Sequence, residues 1–303
     1  MKSLKYIALI IVVILSIGLF SSHQLSEEIS QDAPQTIEAV KVPTYMEFAG
    51  ESVPLENFDV NERLDFQLQL NTFRPHFMIR NIKLANRYFP TIEKILVEEG
   101  VPDDFKYLAV IESGLTNAVS PAGARGVWQI MPATGRENGL EVNKNVDERY
   151  NLEKATVVAC KYLLEAKEQL GSWTLAAGSY NAGKAGISRR LKEQEVSSYY
   201  DLLLGEETGR YLFRIIALKE ILSNPTHYGF NFRDKDLYST VPTFKVEVDT
   251  AVRDFSQFAQ KFSINYKILK LHNPWLREPH LNNGSRKSYQ IEIPEKGYYD
   301  LVR

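Results

Sequence analysis

The segment Val101-Pro102-Asp103-Asp104-Phe105-Lys106-Tyr107-Leu108-Ala109-Val110-Ile111-Glu112-Ser113-Gly114 contains both the start and the stop of a helix. Pro102 has no N–H to leave unpaired in a first turn, Asp103 and Asp104 suit the positive end of the helix dipole, and Gly114 accepts the left-handed turn that ends a helix. Phe105, Leu108 and Ala109 form one apolar stripe. Glu112 falls on the same face, at i+7 from Phe105 and i+4 from Leu108, so a carboxylate is aimed at the core. Burial penalises its ionised form, which raises the pKa and keeps a proton available for general acid catalysis. On this helix alone, pairing with a buried Arg or capping a neighbouring helix is the better explanation of such a carboxylate, and only further motifs can move it.

Downstream lies Ser120-Pro121-Ala122-Gly123-Ala124-Arg125-Gly126-Val127-Trp128-Gln129-Ile130-Met131-Pro132. Its glycines permit positive φ or close backbone approach, Trp128 offers a flat apolar face, and Gln129 both donates and accepts hydrogen bonds. These are the parts of a carbohydrate cleft, or of an ordinary turn packed on a core. Further on, in Trp173-Thr174-Leu175-Ala176-Ala177-Gly178-Ser179-Tyr180-Asn181-Ala182-Gly183, small residues allow one helix to approach another, with Tyr180 and Asn181 near its end.

Around these segments helical patterns dominate from Asn61 to Gly229. Asn61 to Leu70 and Phe77 to Tyr88 read as amphipathic helices, and Ile92, Ile95 and Leu96 mark another that stops at Gly100. Leu152, Ala155, Ala159, Tyr162, Leu163 and Ala166 define one more, and Tyr211, Leu212, Ile215, Leu218 and Leu222 another, stopped by Asn224-Pro225. After about Tyr238 the texture changes. Phe244 to Val248 alternates like a strand, Phe255 to Phe262 reads as a short helix, and Tyr289 to Ile293 alternates again.

Lys2 and Lys5 precede an uncharged run from Tyr6 to Phe20, which has the length of a signal-peptide core and falls short of the ~20 residues that span a bilayer comfortably. Residues 1–22 are therefore expected to be a signal peptide or an N-terminal membrane anchor. Residues 23–60 read as a polar linker, 61–230 as an all-α domain, and 240–296 as a small α/β module. The 36 Lys and Arg against 38 Asp and Glu give a net charge of −2, which argues against a nucleic-acid partner. The single Cys160 excludes an internal disulfide framework and lies in a helical pattern as a small buried hydrophobe. His23, His76, His227, His272 and His280 show no metal-ligand spacing, and the chain has no phosphate-binding glycine loop, so no metal or organic cofactor is expected.

Glu112-Ser113, then Gly126-Val127-Trp128-Gln129-Ile130-Met131-Pro132, then Ser179-Tyr180-Asn181, in that order and spacing, resemble the three motifs of family 1 lytic transglycosylases of the soluble-transglycosylase type. The Trp before the Gln and the helical lead-in from Asn61 are most similar to the membrane-bound type D members. The resemblance implies a mainly α protein with a lysozyme-like catalytic domain acting on the glycan strands of peptidoglycan, exported to the bacterial cell envelope. By position, Glu112 is similar to the family's catalytic acid/base. Ser120, Gln129, Tyr180 and Asn181 resemble residues lining the saccharide site, with Trp128 and Met131 as cleft-wall residues. Ser179 stands where Ala is usual.

One carboxylate suits the implied reaction. A hydrolase normally uses two, about 5 to 10 Å apart. A lone Glu can protonate the glycosidic oxygen and then take the proton from the 6-hydroxyl of the same MurNAc, which closes a 1,6-anhydro ring without water. A muramidase that uses Asp147, Glu137 or Glu141 as a second carboxylate stays open, although these read as surface or capping residues, as does an inactive glycan-binding scaffold. The closing module resembles a degenerate LysM repeat, resting largely on Asn273 and the final Ile293-Pro294, with no Gly before Asp249, and a glycan-binding module and a plain β-α cap that stabilises the catalytic domain both fit it.

Overall fold

The computed structural model describes residues 38–298, so the N-terminal signal or anchor expectation lies outside the described residues. The described residues from Val40 onward form one compact unit.

The fold begins earlier than the sequence suggests. Glu47–Phe48 (β1) and Glu51–Ser52 (β2) pair as a minimal antiparallel hairpin, and Met46, Phe48 and Val53 are buried in the main core. Residues 40–56 are thus not a free tether. Two-residue strands are too short to show a period, which is why the segment reads as linker. The hairpin is tied down by charge. Asp104 accepts from the Ala49 N–H at 2.6 Å and from Lys219 at 2.6 Å, while the Glu51 carboxylate accepts from the N–H groups of Trp173 and Thr174 at 2.6 and 2.9 Å. Those are the orphan donors of a helix start, and a carboxylate there also meets the positive dipole end.

Helices follow at Phe58–Thr72 (α1) and Pro75–Glu99 (α2). α2 runs unbroken through Pro90, so the two helices read from sequence are one, ended by Gly100 at φ 74°. A proline removes one helical hydrogen bond, but Met78, Leu84, Ala85, Ile92, Ile95 and Leu96 keep a single buried stripe across it. A 3₁₀ turn at Asp103–Phe105 leads into Lys106–Ser113 (α3), closed by Gly114 at φ 58°. Then come Pro132–Glu137 (α4), Leu152–Leu170 (α5), Trp173–Ala182 (α6), Lys184–Gln194 (α7) and Glu206–Ser223 (α8). α8 packs on α1, α3 and α6, and α5 packs on α2, α6 and α7. Cys160 is buried in α5, and burial pushes its thiol up to about 12.

The C-terminal part pairs Thr243–Val248 (β3) with Tyr289–Pro294 (β4) in antiparallel register, Val246 opposite Ile291. Between the strands lie helices Phe255–Gln260 (α9) and Tyr266–His272 (α10). A second hydrophobic cluster gathers Phe255, Leu269, Trp275, Leu276 and Ile291, and it also takes in Val146 and Tyr150 from before α5. The buried Asn273 fastens α10 to β4, donating to the Leu269 and Glu292 carbonyls and accepting from the Glu292 N–H at 2.8 Å. The fold is mainly α, as expected, with a small strand pair near the C-terminus.

Candidate active site

Phe105, Leu108 and Ala109 are fully buried, so the face of α3 that carries Glu112 points inward as its spacing requires. Glu112 Oε1 accepts the hydroxyl proton of Tyr211 from α8. Burial pushes its carboxyl above the usual carboxylate range; the Tyr211 hydrogen bond and the Arg214 charge pull the other way, and Glu207 adds to the rise. Tyr180 is a further neighbour. Burial holds its phenol well above the ordinary tyrosine value, and the charge of Glu112 adds to that. Its hydroxyl donates to the Trp128 carbonyl at 2.8 Å, and its ring packs edge-on against Tyr162 with centroids 5.3 Å apart.

The Gly-rich loop is fixed to α3 by Ser113, whose hydroxyl reaches the Val127 carbonyl at 2.7 Å. The loop itself is a tight construction. Ser120 Oγ accepts from the Ala124 N–H at 2.9 Å. Gln129 sits at φ 47°, and its side-chain amide donates to the Ala118 and Gly126 carbonyls at 3.1 and 2.8 Å. Gly126, at φ 82°, passes so close to the next segment that a Cβ would lie 2.1 Å from the Arg149 carbonyl oxygen. From outside, the Arg149 guanidinium donates to the Gly123 and Ile130 carbonyls at 2.9 and 3.0 Å, holding both flanks of the loop.

Trp128 departs from its expected role as a cleft wall. It is 0% exposed, with its indole N–H on Thr156 Oγ1 at 2.8 Å, so it supports the loop from beneath. Met131 is 42% exposed at the start of α4 and is available as a wall. Asn181 is exposed and accepts from the Thr208 hydroxyl at 2.8 Å, which ties α6 to the start of α8. The buried Ser179 hydroxyl is satisfied by the Ala176 carbonyl at 2.8 Å, so Ser in place of Ala costs no hydrogen bond.

Asp147 is not a surface residue. At 2% exposed it forms a two-point ion pair with Arg149 at 2.9 and 2.8 Å while capping the turn at Glu148–Tyr150. Glu141 is held by Lys287 and Tyr289, which keep its carboxyl below the usual range, and Glu137 is exposed at the end of α4. The acid that bears on Glu112 electrostatically is Glu207, a residue the sequence reading passed over. Its oxygens take Arg210 at 2.6 Å and Arg214 at 3.0 Å, and its carboxyl lies below the usual range. A carboxylate committed to two guanidiniums is a weak base for activating water. Tyr211 and Arg214 were also missed, because an aromatic in a helical stripe reads as core.

Two family models match the chain: the transglycosylase SLT domain over residues 90–202, and the soluble lytic transglycosylase C-terminal LysM-like domain over residues 244–297. Residues 90–202 thus match an SLT domain and residues 244–297, behind it, a LysM-like one. It is similar to "Membrane-bound lytic murein transglycosylase D" of Escherichia coli, in strain K12 and in strain O6:H1, each 25% identical over 82% of this chain. The chain spans only 55% of the length of those relatives. A solved structure of an inactive mutant of the lytic transglycosylase Slt from Pseudomonas aeruginosa aligns over 58% of this chain and 33% of its own, at 20% identity and TM-score 0.40.

Proposed function

We propose that this protein cleaves the MurNAc-β-1,4-GlcNAc bond of peptidoglycan as a lytic transglycosylase and leaves 1,6-anhydro-MurNAc ends. The observation that carries this reading is Glu112, an inward carboxyl with a raised pKa, hydrogen-bonded by Tyr211 and set beside Tyr180. Protonated, it gives its proton to the glycosidic oxygen; as carboxylate, it takes the 6-hydroxyl proton of the same sugar. That hydroxyl is tethered to the reacting carbon, so a high effective concentration replaces a second carboxylate. Glu207, clamped by two arginines, supports the same choice over hydrolysis.

Residues 61–230, together with the hairpin before them, act as the catalytic part in this reading. Ser120, Gln129 and Trp128 shape the loop, and Met131, Tyr180 and Asn181 border the saccharide. Residues 240–296 hold the glycan strand, and residues 1–22 direct the chain to the cell envelope or anchor it there. Among the described residues no helix is long and apolar enough to cross a membrane. The names of the relatives, membrane-bound and murein-directed, agree with this placement. Clearing of purified cell-wall sacculi tests the reading: wild-type protein lowers the turbidity and Glu112→Gln does not, whereas binding without clearing by wild type makes the protein a scaffold.

A further inference from the structure

A cavity of about 360 Å³ opens where the catalytic loop meets the LysM-like module, within the size range of small-ligand sites. Three elements wall it. α2 contributes Tyr88, the stretch after Glu112 contributes Asn117, and the C-terminal module contributes Leu271, Trp275 and Glu292, with Tyr150 at the junction. Its surface alternates apolar faces with amide, hydroxyl and carboxylate groups. It also mixes Arg87 with Glu153 and Glu292, so no single-sign field favours a phosphate or a nucleotide.

The Glu292 carboxylate faces this space without a hydrogen-bond donor. Its backbone is engaged by Asn273, yet among the described residues no donor hydrogen-bonds its side chain. Nearby Lys245 is instead taken by Glu153 at 2.6 Å. Burial and the charge of Glu153 push the Glu292 carboxyl above its usual range, against the pull of the Lys245 charge. A half-buried acceptor without a donor is what a ligand rich in hydroxyl groups satisfies.

The walls are rigidly joined. The Asp147 N–H donates to the Trp275 carbonyl at 2.9 Å, the Arg277 N–H donates to the Asn145 carbonyl at 2.9 Å, and the Arg277 guanidinium lies 4.2 Å from the Tyr150 ring centroid. Trp275 is stacked on Tyr289, with ring centroids 5.7 Å apart. A pocket whose walls are tied together by such contacts is preorganised, so little ordering cost opposes binding.

We infer that this composite pocket, walled by Tyr88, Asn117, Tyr150, Leu271, Trp275 and Glu292, is an accessory subsite for an N-acetylhexosamine unit of the glycan strand. The ligand class rests on the proposed function. The pocket binds a sugar outside the pair at the cleaved bond and holds the strand in register with Glu112, so the C-terminal module acts in positioning as well as in attachment.

The test uses the full chain carrying Glu112→Gln and a soluble, uncross-linked strand of alternating GlcNAc and MurNAc, with affinity measured by titration calorimetry. Leu271 is 61% exposed at the pocket rim, so Leu271→Arg blocks the mouth without disturbing the core; Asn117→Ala removes a polar contact by a second route. Each is expected to raise Kd at least fivefold, while Val97→Arg, an exposed site on α2 outside the pocket, leaves it unchanged. Equal affinity in all four proteins, or no strand binding by the parent, overturns the subsite. Sacculus clearing by wild-type protein in the same preparation shows that the pocket alone has failed, and absence of clearing shows that the proposed function has failed with it.

Discussion

In the proposed reaction Glu112 and Tyr211 form the pair on which the chemistry turns. The tyrosine donates to the carboxylate and so favours ionisation, against a burial that opposes it. Removing that bond with Tyr211→Phe leaves the raising influences less opposed, so the carboxyl holds its proton to higher pH. The limb of the rate profile that falls as Glu112 deprotonates is therefore expected to move alkaline, with kcat down about tenfold for a lost charge-assisted hydrogen bond of ~1.5 kcal/mol. A pH–rate series on solubilised glycan strands checks it, and an acid shift contradicts it. Gly126→Ala is a steric test: a Cβ would meet the Arg149 carbonyl at a φ that side chains rarely adopt. We expect a loss of more than ~3 kcal/mol in chemical denaturation. Glu112 was legible in the sequence because its face is fixed by helical spacing. Tyr211 was not, because spacing puts an aromatic in the core without saying which polar group its hydroxyl meets. Trp128 was misjudged for the related reason that a loop has no period from which burial can be read.

At the scale of elements, the Gly-rich loop is shaped from both sides, by Ser113 at the end of α3 and by Arg149 before α5. Asp147 keeps Arg149 in place and is buried with it. Asp147→Ala leaves a buried guanidinium without its counter-ion, a loss of about 3–5 kcal/mol, and it frees the loop carbonyls. The expected result is a lower melting temperature together with a KM for glycan strands that rises more than kcat falls. A drop in stability with KM unchanged contradicts the loop role. Neither this ion pair nor the 47–52 hairpin was visible in the sequence, since both lie in short polar segments where pairing depends on partners far along the chain. The long helices were visible, but Phe77 to Tyr88 and the stretch marked by Ile92, Ile95 and Leu96 are one helix, because the buried stripe continues across Pro90.

For the whole molecule, Val146 and Tyr150 belong to the second hydrophobic cluster although they precede α5. Lys287 and Tyr289 reach back to Glu141, and Lys287 also reaches Glu148, at 2.8 to 3.4 Å. The strands and helices of the C-terminal module could be read from alternation and period, but this mutual burial could not, because a one-dimensional pattern marks a buried face without naming its partner. A chain ending at Val241 uncovers both side chains, at about 1.5–3 kcal/mol each. Calorimetry is expected to show it melting below the full chain, and an unchanged melting temperature would mean that the module stands apart. The central claim, one carboxylate and no water, is tested most directly by mass spectrometry of the fragments released from purified sacculi by the wild-type protein and by Glu112→Gln. The account predicts fragments one water lighter than hydrolytic products, with release by the variant reduced by a factor on the order of 10²–10⁴, the span of general acid–base catalysis. Fragments ending in a reducing MurNAc, or equal release by the variant, would contradict it.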